Sequence, residues 1–342
     1  MARRWAALVV AASVVAACGS STSRDSSKGP TTSAATTGAP PLSVTRVVGV
    51  SGRGVAATTD AIWTTVEPAA GSDGDVVARW GVERRDPRTG SVIQTITIPG
   101  VVRQVAAGAG FVWVIGGGDG AYPQGGVAAI DPATGRVVFS YGWGAGPPIG
   151  PYGIAVTTDA AWVTDTAGRV LRFRPGSSGI SVAVSGLLDG QPTGIVALSD
   201  GSIWVSRSLI GVISRIDAAS MRVAETRPWG GVPFAADGET IWTTDGDRLI
   251  QLNPELLSAG LSVAEGARIP IVPVAVAVDP AGISVGVDGG GINRYNRAAL
   301  SAESPVPSGQ IATEGSVEPW SLTEQGESVW FIDDNGLGHW MP

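Results

Sequence analysis

Between Gly194 and Thr226 the chain alternates short, Val- and Ile-rich runs with turn residues. The order is GIVAL, a Ser-Asp-Gly turn, SIWVSR, a Gly-containing turn, VISRID, a turn at Ala218-Ala219-Ser220, then MRVAET. Runs of five or six residues bounded in this way predict four consecutive short strands joined by hairpins, not helix. A single meander of this kind has two apolar faces and cannot bury both alone. Its second strand recurs along the chain, centred on Trp63 (AIWTT), Trp113 (FVWVI), Trp162 (AAWVT), Trp204, Trp242 (TIWTT) and Trp330 (SVWFI), with a Trp-less version at Ile283 (GISVG). The successive gaps are 50, 49, 42, 38, 41 and 47 residues. Four strands repeated at this spacing predict an all-β, seven-bladed β-propeller with four-stranded antiparallel blades, in which radial packing covers every face.

The two ends of the array complement each other. Ser43 to Val50 (SVTRVVGV) alternates like a strand but precedes the first complete unit, whereas the last unit, ending at Pro342, holds only three strands. The N-terminal strand is therefore expected to pair onto the last blade and close the ring, removing the open edges of a linear row. The expected organisation is a leader over 1–17, a tether over 18–42 and the propeller over 43–342.

Composition sharpens this picture. Hydrophobic residues make up 44% of the chain and charged residues only 15%, as sheets buried on both faces require. The net charge of −7 and a single lysine, Lys28, argue against nucleic acid, which calls for a basic stripe. At the N-terminus, Arg3 and Arg4 precede an apolar stretch from Trp5 to Ala17, shorter than the roughly 20 residues that span a bilayer. It ends in Val15-Ala16-Ala17-Cys18-Gly19, which resembles a bacterial lipoprotein lipobox. That resemblance implies cleavage before Cys18 and acylation of this residue, hence an extracytoplasmic protein anchored to the membrane by lipid. Cys18 is the only cysteine, so no disulfide forms within the chain. Gly19 to Leu42 is rich in Ser, Thr, Gly, Ala and Pro, the composition of a disordered tether. A flexible coil of about 24 residues reaches roughly 25–30 Å.

Candidate chemistry is sparse. Asp86-Pro87-Arg88-Thr89-Gly90 and Asp131-Pro132-Ala133-Thr134-Gly135 read as turns between third and fourth strands, and Asp60, Asp159, Asp200, Asp237 and Asp279 as turn formers between first and second strands. The long connections, 67–75, 116–126 and 142–152, join second to third strands or one blade to the next. In a propeller both kinds emerge on one face of the disc, where insertions mark the binding face. Trp143, Tyr152, Trp229 and Trp320 fall in inter-blade connections there and Tyr122 in an insertion, so these aromatics are candidate contacts for a protein, peptide or glycan of the cell envelope. Rings plugging the channel or wedged between blades are the other reading of the same residues. The repeat tryptophans are expected in the core. No Cys/His cluster has metal spacing, and neither a phosphate-binding Gly-rich loop nor a G-x-S-x-G elbow occurs.

A Trp-Val-Thr-type strand, a Gly turn and an Arg-Ile-Asp-type strand, as in Trp204-Val205-Ser206 with Ser214-Arg215-Ile216-Asp217, resemble the YVTN, NHL and virginiamycin B lyase-like propellers over nearly all of 47–342. For the lyases the resemblance implies a histidine with nearby carboxylates and a metal ion. The single histidine here, His339, falls in an expected third strand and matches no catalytic histidine on the inner face. Lactonase-like propellers, which use convergent acidic and amide ligands near the channel, are a second comparison. Asp165, Asp245 and Asp333 each stand three residues after a repeat Trp, where second strands reach the mouth, with Arg207 in the equivalent place. These three are the candidate ligands for Ca²⁺ or Mg²⁺; as solvated turn acids they need no cofactor. The expected function is a monomeric, non-enzymatic ligand- or protein-binding scaffold or sensor, and the alternative is a metal-dependent lyase or lactonase-type enzyme. Deleting Ser43 to Val50 is expected to abolish the cooperative melting transition of the domain; an unchanged melting curve contradicts closure of the ring by this strand.

Overall fold

The structure is a computed structural model, and it describes residues 45–47, 54–67, 80–117, 125–143, 147–245, 248–253, 268–269, 273–279, 281–287, 291–297, 300, 307–311, 321–325, 328–333 and 336–340. The expected leader, Cys18 and the tether lie outside these residues. Strand β1 (Thr45–Val47) is followed by blade 1, made of β2 (Val55–Thr58), β3 (Ala61–Val66), β4 (Gly81–Arg85) and β5 (Val92–Thr97). Blade 2 holds β6 (Val101–Gly108), β7 (Phe111–Gly117), β8 (Gly126–Asp131) and β9 (Arg136–Gly142). Blade 3 holds β10 (Pro151–Val156), β11 (Ala161–Asp165), β12 (Arg169–Gly176) and β13 (Gly179–Val184). Blade 4 holds β14 (Gly194–Ala197), β15 (Ile203–Arg207), β16 (Val212–Ile216) and β17 (Val223–Pro228). Blade 5 holds β18 (Pro233–Asp237), β19 (Thr240–Asp245), β20 (Arg248–Leu252) and β21 (Arg268–Ile269). Blade 6 holds β22 (Pro273–Asp279), β23 (Gly282–Val287), β24 (Ile292–Asn296) and β25 (Gly309–Ile311). Blade 7 contributes β26 (Ser321–Gln325), β27 (Ser328–Asp333) and β28 (Gly336–Trp340). Each blade is a four-stranded antiparallel sheet, and β1 is the fourth strand of blade 7. The seven-bladed, N-terminally closed propeller read from the sequence is the fold.

The repeat tryptophans sit where two blades meet. All six are buried, and each lies opposite a fixed position of the third strand. That position is Arg84 against Trp63, Ala129 against Trp113, Arg172 against Trp162, Arg215 against Trp204, Gln251 against Trp242 and His339 against Trp330. Two of these arginines cover their indole, with the guanidinium carbon 5.9 Å from the Trp63 ring centre for Arg84 and 5.6 Å from that of Trp162 for Arg172. Such contacts contribute about 0.5–1 kcal/mol or more as water is excluded. The same guanidiniums reach into the next blade. Arg84 donates to the Ala133 carbonyl at 3.3 Å and Arg172 to that of Ala218, both in turns between third and fourth strands. Ala129 is too small to cover Trp113, and there Phe111 and Phe173 close over it with ring centres at 5.8 and 6.0 Å.

Blade 6 corrects one sequence assignment. The residue in the tryptophan register is Ser284, which pairs with Arg294, and not Ile283, which pairs with Tyr295. The missing indole is replaced by the buried Arg294 guanidinium, which donates to Ser284 Oγ at 3.0 Å and to the Asp279 carboxylate at 2.5 Å.

The turn acids behave as their spacing suggests. Asp86 accepts the backbone N–H groups of Arg88 and Thr89 at 2.8 and 3.0 Å, and Asp131 that of Ala133 at 2.8 Å. Asp217 accepts both the N–H and the hydroxyl of Ser220, at 2.7 and 2.6 Å. These hydrogen bonds hold all three carboxyls below the usual aspartate range. Asp60 and Asp159, between first and second strands, pair with Arg84 and Arg174 at 2.7 and 2.5 Å.

Trp143 wedges the top of blade 2. Only 5% of it is exposed, and its φ of 42° places a bulky residue in the left-handed region. The indole N–H donates to the Gly117 carbonyl at 3.2 Å. The ring lies so close to Gly126 that a Cβ there would come within 2.4 Å of it.

The seam of the ring is narrow. Thr45, Arg46 and Val47 pair with His339, Gly338 and Leu337, while His339 stacks on Trp330 with ring centres 4.3 Å apart and planes 19° from parallel. Burial lowers the pKa of His339 below the ordinary 6.5, and its Nδ1 is enclosed without a partner.

Two outcomes follow from this packing. The folded state resists the proton on His339 that the unfolded chain accepts below about pH 6.5, so stability is complete above that pH and declines as pH falls through the folded value. Melting curves between pH 7.5 and 5.5 should show the decline in the wild type and less of it in His339→Gln; equal slopes would contradict the assignment. Trp143→Ala should lower stability by about 3 kcal/mol, as for a large aromatic removed from a core with some backbone strain relieved, measured by chemical denaturation; a loss under about 1 kcal/mol would contradict the wedge.

Candidate binding face

The connections between second and third strands and those between blades leave the disc on one face, because strand direction alternates within each antiparallel blade. The first strands begin at this face, around the mouth of the channel. Three of them carry one extra residue there at the same register. In blade 2, Val102 and Gln104 pair with Gly116 and Ile115, leaving Arg103 between them. In blade 3, Pro151 and Ile154 pair with Asp165 and Val163, so Tyr152 and Gly153 oppose Thr164 alone. In blade 6, Pro273 and Ala275 pair with Val287 and Gly286, leaving Val274 between them. A bulge breaks the ladder and re-aims the side chain beside it. In blade 3 the backbone group released is met locally, Thr164 Oγ1 accepting the N–H of Gly153 at 2.9 Å, and Thr65 Oγ1 accepts that of Gly54 in the same way in blade 1, at 2.8 Å. Thr193 takes the corresponding place in blade 4, with its hydroxyl 3.0 Å from that of Ser206 and accepting from that of Ser208 at 2.9 Å.

Farther out, two neighbouring loops expose apolar side chains. Leu187, in the connection from blade 3 to blade 4, is 77% exposed, and Leu209 and Ile210, in the 3-10 turn Ser208–Ile210, are 74% and 49% exposed. The two loops touch: a Cβ on Gly190 would meet Ile210 at 3.1 Å, and Arg207 donates to the Asp189 carbonyl at 2.6 Å. Arg207 is 6% exposed and has no carboxylate partner among the described residues. Its guanidinium is held by the hydroxyls of Ser214 and Thr226 at 2.6 and 3.3 Å, its Nε is unpartnered, and burial lowers its pKa from the usual arginine value. Arg207 thus fastens the loops from beneath and does not present itself to a partner.

The other sequence candidates divide. Tyr152 is half-buried at the mouth, and burial raises its phenol pKa. Trp229 is half-buried, its indole donating to Thr243 Oγ1 at 3.1 Å and its backbone N–H to the Gly211 carbonyl at 2.8 Å, so one edge remains at the face beside the 3-10 turn. Trp143 is the wedge described above. Tyr122 and Trp320 lie outside the described residues. Asp165, Asp245 and Asp333 end the second strands of blades 3, 5 and 7; only the side chain of Asp165 is among those described. Asp165 is buried, with Oδ1 accepting from the Gly150 and Ala167 N–H groups at 2.9 and 3.2 Å and Oδ2 ion-paired with Arg169. Its acceptor positions are taken by protein donors, so in this arrangement it fixes a loop. Among the described residues, no three His, Cys, Asp or Glu side chains group in a way that could hold a metal ion.

Sequence reasoning missed Arg103, because a one-residue bulge leaves no mark in an alternating pattern. It also missed Leu187, Leu209 and Ile210, although an exposed Leu-Ile pair inside a predicted turn was a signal to follow.

No family model matches the sequence. No curated protein matches it either. Solved structures do. Virginiamycin B lyase from Staphylococcus aureus is similar with a TM-score of 0.65 at 15% identity, over 88% of this chain and 99% of that one. A catalytically inactive histidine-to-alanine variant of that lyase, with quinupristin, gives 0.64 at 15% over 88% and 99%. A chain in a crystal structure of the mitotic checkpoint complex gives 0.63 at 13% over 93% and 96%. A lyase and a checkpoint assembly are matched about equally well, so the likeness is one of fold: this chain is built as a seven-bladed β-propeller.

Proposed function

We propose that this chain is a non-enzymatic binding module of the cell envelope, anchored through lipid on Cys18, which holds a protein, peptide or glycan partner on the face bearing the channel mouth. The observation that carries the reading is the pair of touching loops with Leu187, Leu209 and Ile210 exposed at their tips. Apolar side chains grouped on a surface are costly in water and mark contact sites. Chain direction adds support. β1 runs antiparallel to β28 and so begins at the opposite face of the disc. A tether ahead of Thr45 therefore leaves from that opposite face, and the apolar loops are turned away from the membrane.

The lyase reading has the fold in its favour but lacks the chemistry. One of the similar structures was inactivated by replacing a histidine. The single histidine here, His339, is stacked on Trp330 in the third strand of the closing blade. Fold likeness at this identity does not carry an activity across.

Site-specific photocrosslinking in intact cells tests the proposal. A photoreactive residue placed at Leu209 should yield a discrete crosslinked species, and one at Val138, exposed on the outer rim, should not. Equal crosslinking at both positions, or turnover of quinupristin by the purified protein, would overturn it.

A further inference from the structure

The bulge register singles out residues that the repeat does not need. Its neighbours in the first strand repeat in blades 3, 4 and 6, where Pro151, Pro192 and Pro273 precede it and Gly153, Gly194 and Ala275 follow it; in blade 2 they are Val102 and Gln104. The position itself holds Arg103, Tyr152, Thr193 and Val274, four different chemistries at one structural place. A side chain required by the blade would recur like the tryptophans do. These do not recur, so the position is free to serve the mouth.

Arg103 and Tyr152 belong to adjacent blades and lie close enough for the Arg103 charge to act on the Tyr152 phenol. Gln104 ties the two strands, donating to the Tyr152 carbonyl at 3.4 Å. The Arg103 guanidinium rests on Gly117, where a Cβ would come within 3.0 Å of Nη2. Seven other arginines, at 84, 85, 169, 174, 215, 227 and 294, have carboxylate partners. Arg103 makes neither an ion pair nor a hydrogen bond among the described residues, yet it is only partly exposed. A planar, five-donor fork held at a channel mouth without an acceptor among the described residues is suited to a bidentate oxyanion. The half-buried Tyr152 ring on the adjacent blade offers an apolar surface with a hydroxyl at its edge.

We propose that Arg103 and Tyr152 form a recognition site for an oxyanion carried on an apolar body, a carboxylate or a phosphate monoester, with the anion on the guanidinium and the body against the Tyr152 ring. The proposal rests on the reading of this face as the binding face and names the chemistry it selects. With a net charge of −7 the protein does not draw anions from a distance, so recognition is local and depends on this one cation.

Titration calorimetry on the detergent-solubilised full chain tests it, with 3-phenylpropionate, phenyl phosphate, neutral 3-phenylpropan-1-ol and inorganic phosphate as probes. One or both aromatic anions should bind roughly tenfold or more tightly than the alcohol, the better of the two identifying the oxyanion. Arg103→Gln should lose that preference while melting as the wild type does, and Tyr152→Ala should weaken the aromatic anions but not inorganic phosphate. Val138→Ser, on the outer rim, should leave all four affinities unchanged, which separates this site from non-specific binding to exposed apolar surface. Equal affinities in Arg103→Gln and wild type, or no saturable binding of either aromatic anion by the wild type at 10 mM (about 2.7 kcal/mol as a dissociation constant), would overturn it.

Discussion

The fold depends on hiding the second strand of every blade on both of its faces. β3, β7, β11 and β15 are buried along nearly their whole length, as a strand inside a sandwich would be, yet each blade is a single sheet. A neighbour must therefore stand on either side of every blade, and the array is satisfied only when it closes into a ring. The repeat tryptophan is the largest group to be hidden, burying on the order of 150–250 Å². The third-strand residue opposite it decides how the hiding is done. An arginine lays its stem and guanidinium over the indole and spends its remaining donors on the next blade's turn; an alanine leaves the task to phenylalanines; a histidine stacks. In blades 1 and 3 the third-strand arginine is in this sense the lid of the tryptophan.

That division separates scaffold from recognition. Positions that repeat, namely the tryptophan and the turn aspartates, are engaged within the blade or with its neighbour. The cover of the tryptophan varies with the packing it must complete, whereas the varied residues of the first-strand bulge lie on the mouth face. Hydrogen-bonding economy points the same way. Indoles at 63, 113 and 204 find acceptors in Thr58, Gly108 and Ser202 at 3.1, 3.0 and 3.2 Å, all in or beside the turn at the opposite face. In blades 1, 2 and 4 the turns of that face are therefore committed to holding tryptophans, whereas the indole N–H groups of Trp162, Trp242 and Trp330 are buried without an acceptor among the described residues.

Much of this was legible in the sequence, and the parts that were not have physical reasons. Periodicity gave blade number because only a closed ring hides every strand, and the unmatched ends gave the seam for the same cause. The register of blade 6 was misread by one residue because Ile283 is the bulky apolar residue of its strand, while the true equivalent, Ser284, is recognisable only through the arginine that replaces the indole. Trp143 looked like a loop contact because aromatics in loops often are. What draws it inward is the space over Gly126 and Gly100, a pairing of distant positions that no local pattern displays. Met221 takes with a φ of 57° the left-handed place that Gly90 and Gly135 hold in blades 1 and 2, so the turn read at Ala218-Ala219-Ser220 extends through Met221, a residue whose apolar side chain had suggested strand. Arg103 was hidden by the bulge itself.

The charged residues that end the second strands illustrate how a shared register can mislead and then inform. Read as a set, Asp165, Asp245, Asp333 and Arg207 suggested ligands converging on the mouth. The two whose side chains are described do one job with opposite signs. Asp165 accepts from the Gly150 N–H and so clasps the connection entering blade 3, while Arg207 donates to the Asp189 carbonyl and clasps the connection entering blade 4. A carboxylate grips a loop by its N–H groups and a guanidinium grips one by its carbonyls, and burial makes each grip costly to release because the charge would be left without a partner. The consequence for recognition is mechanical. The loop carrying Leu187 is fastened to the strand that leads into Leu209 and Ile210, so the apolar tips are held at a fixed separation by the fold itself, and their ordering entropy is lost on folding.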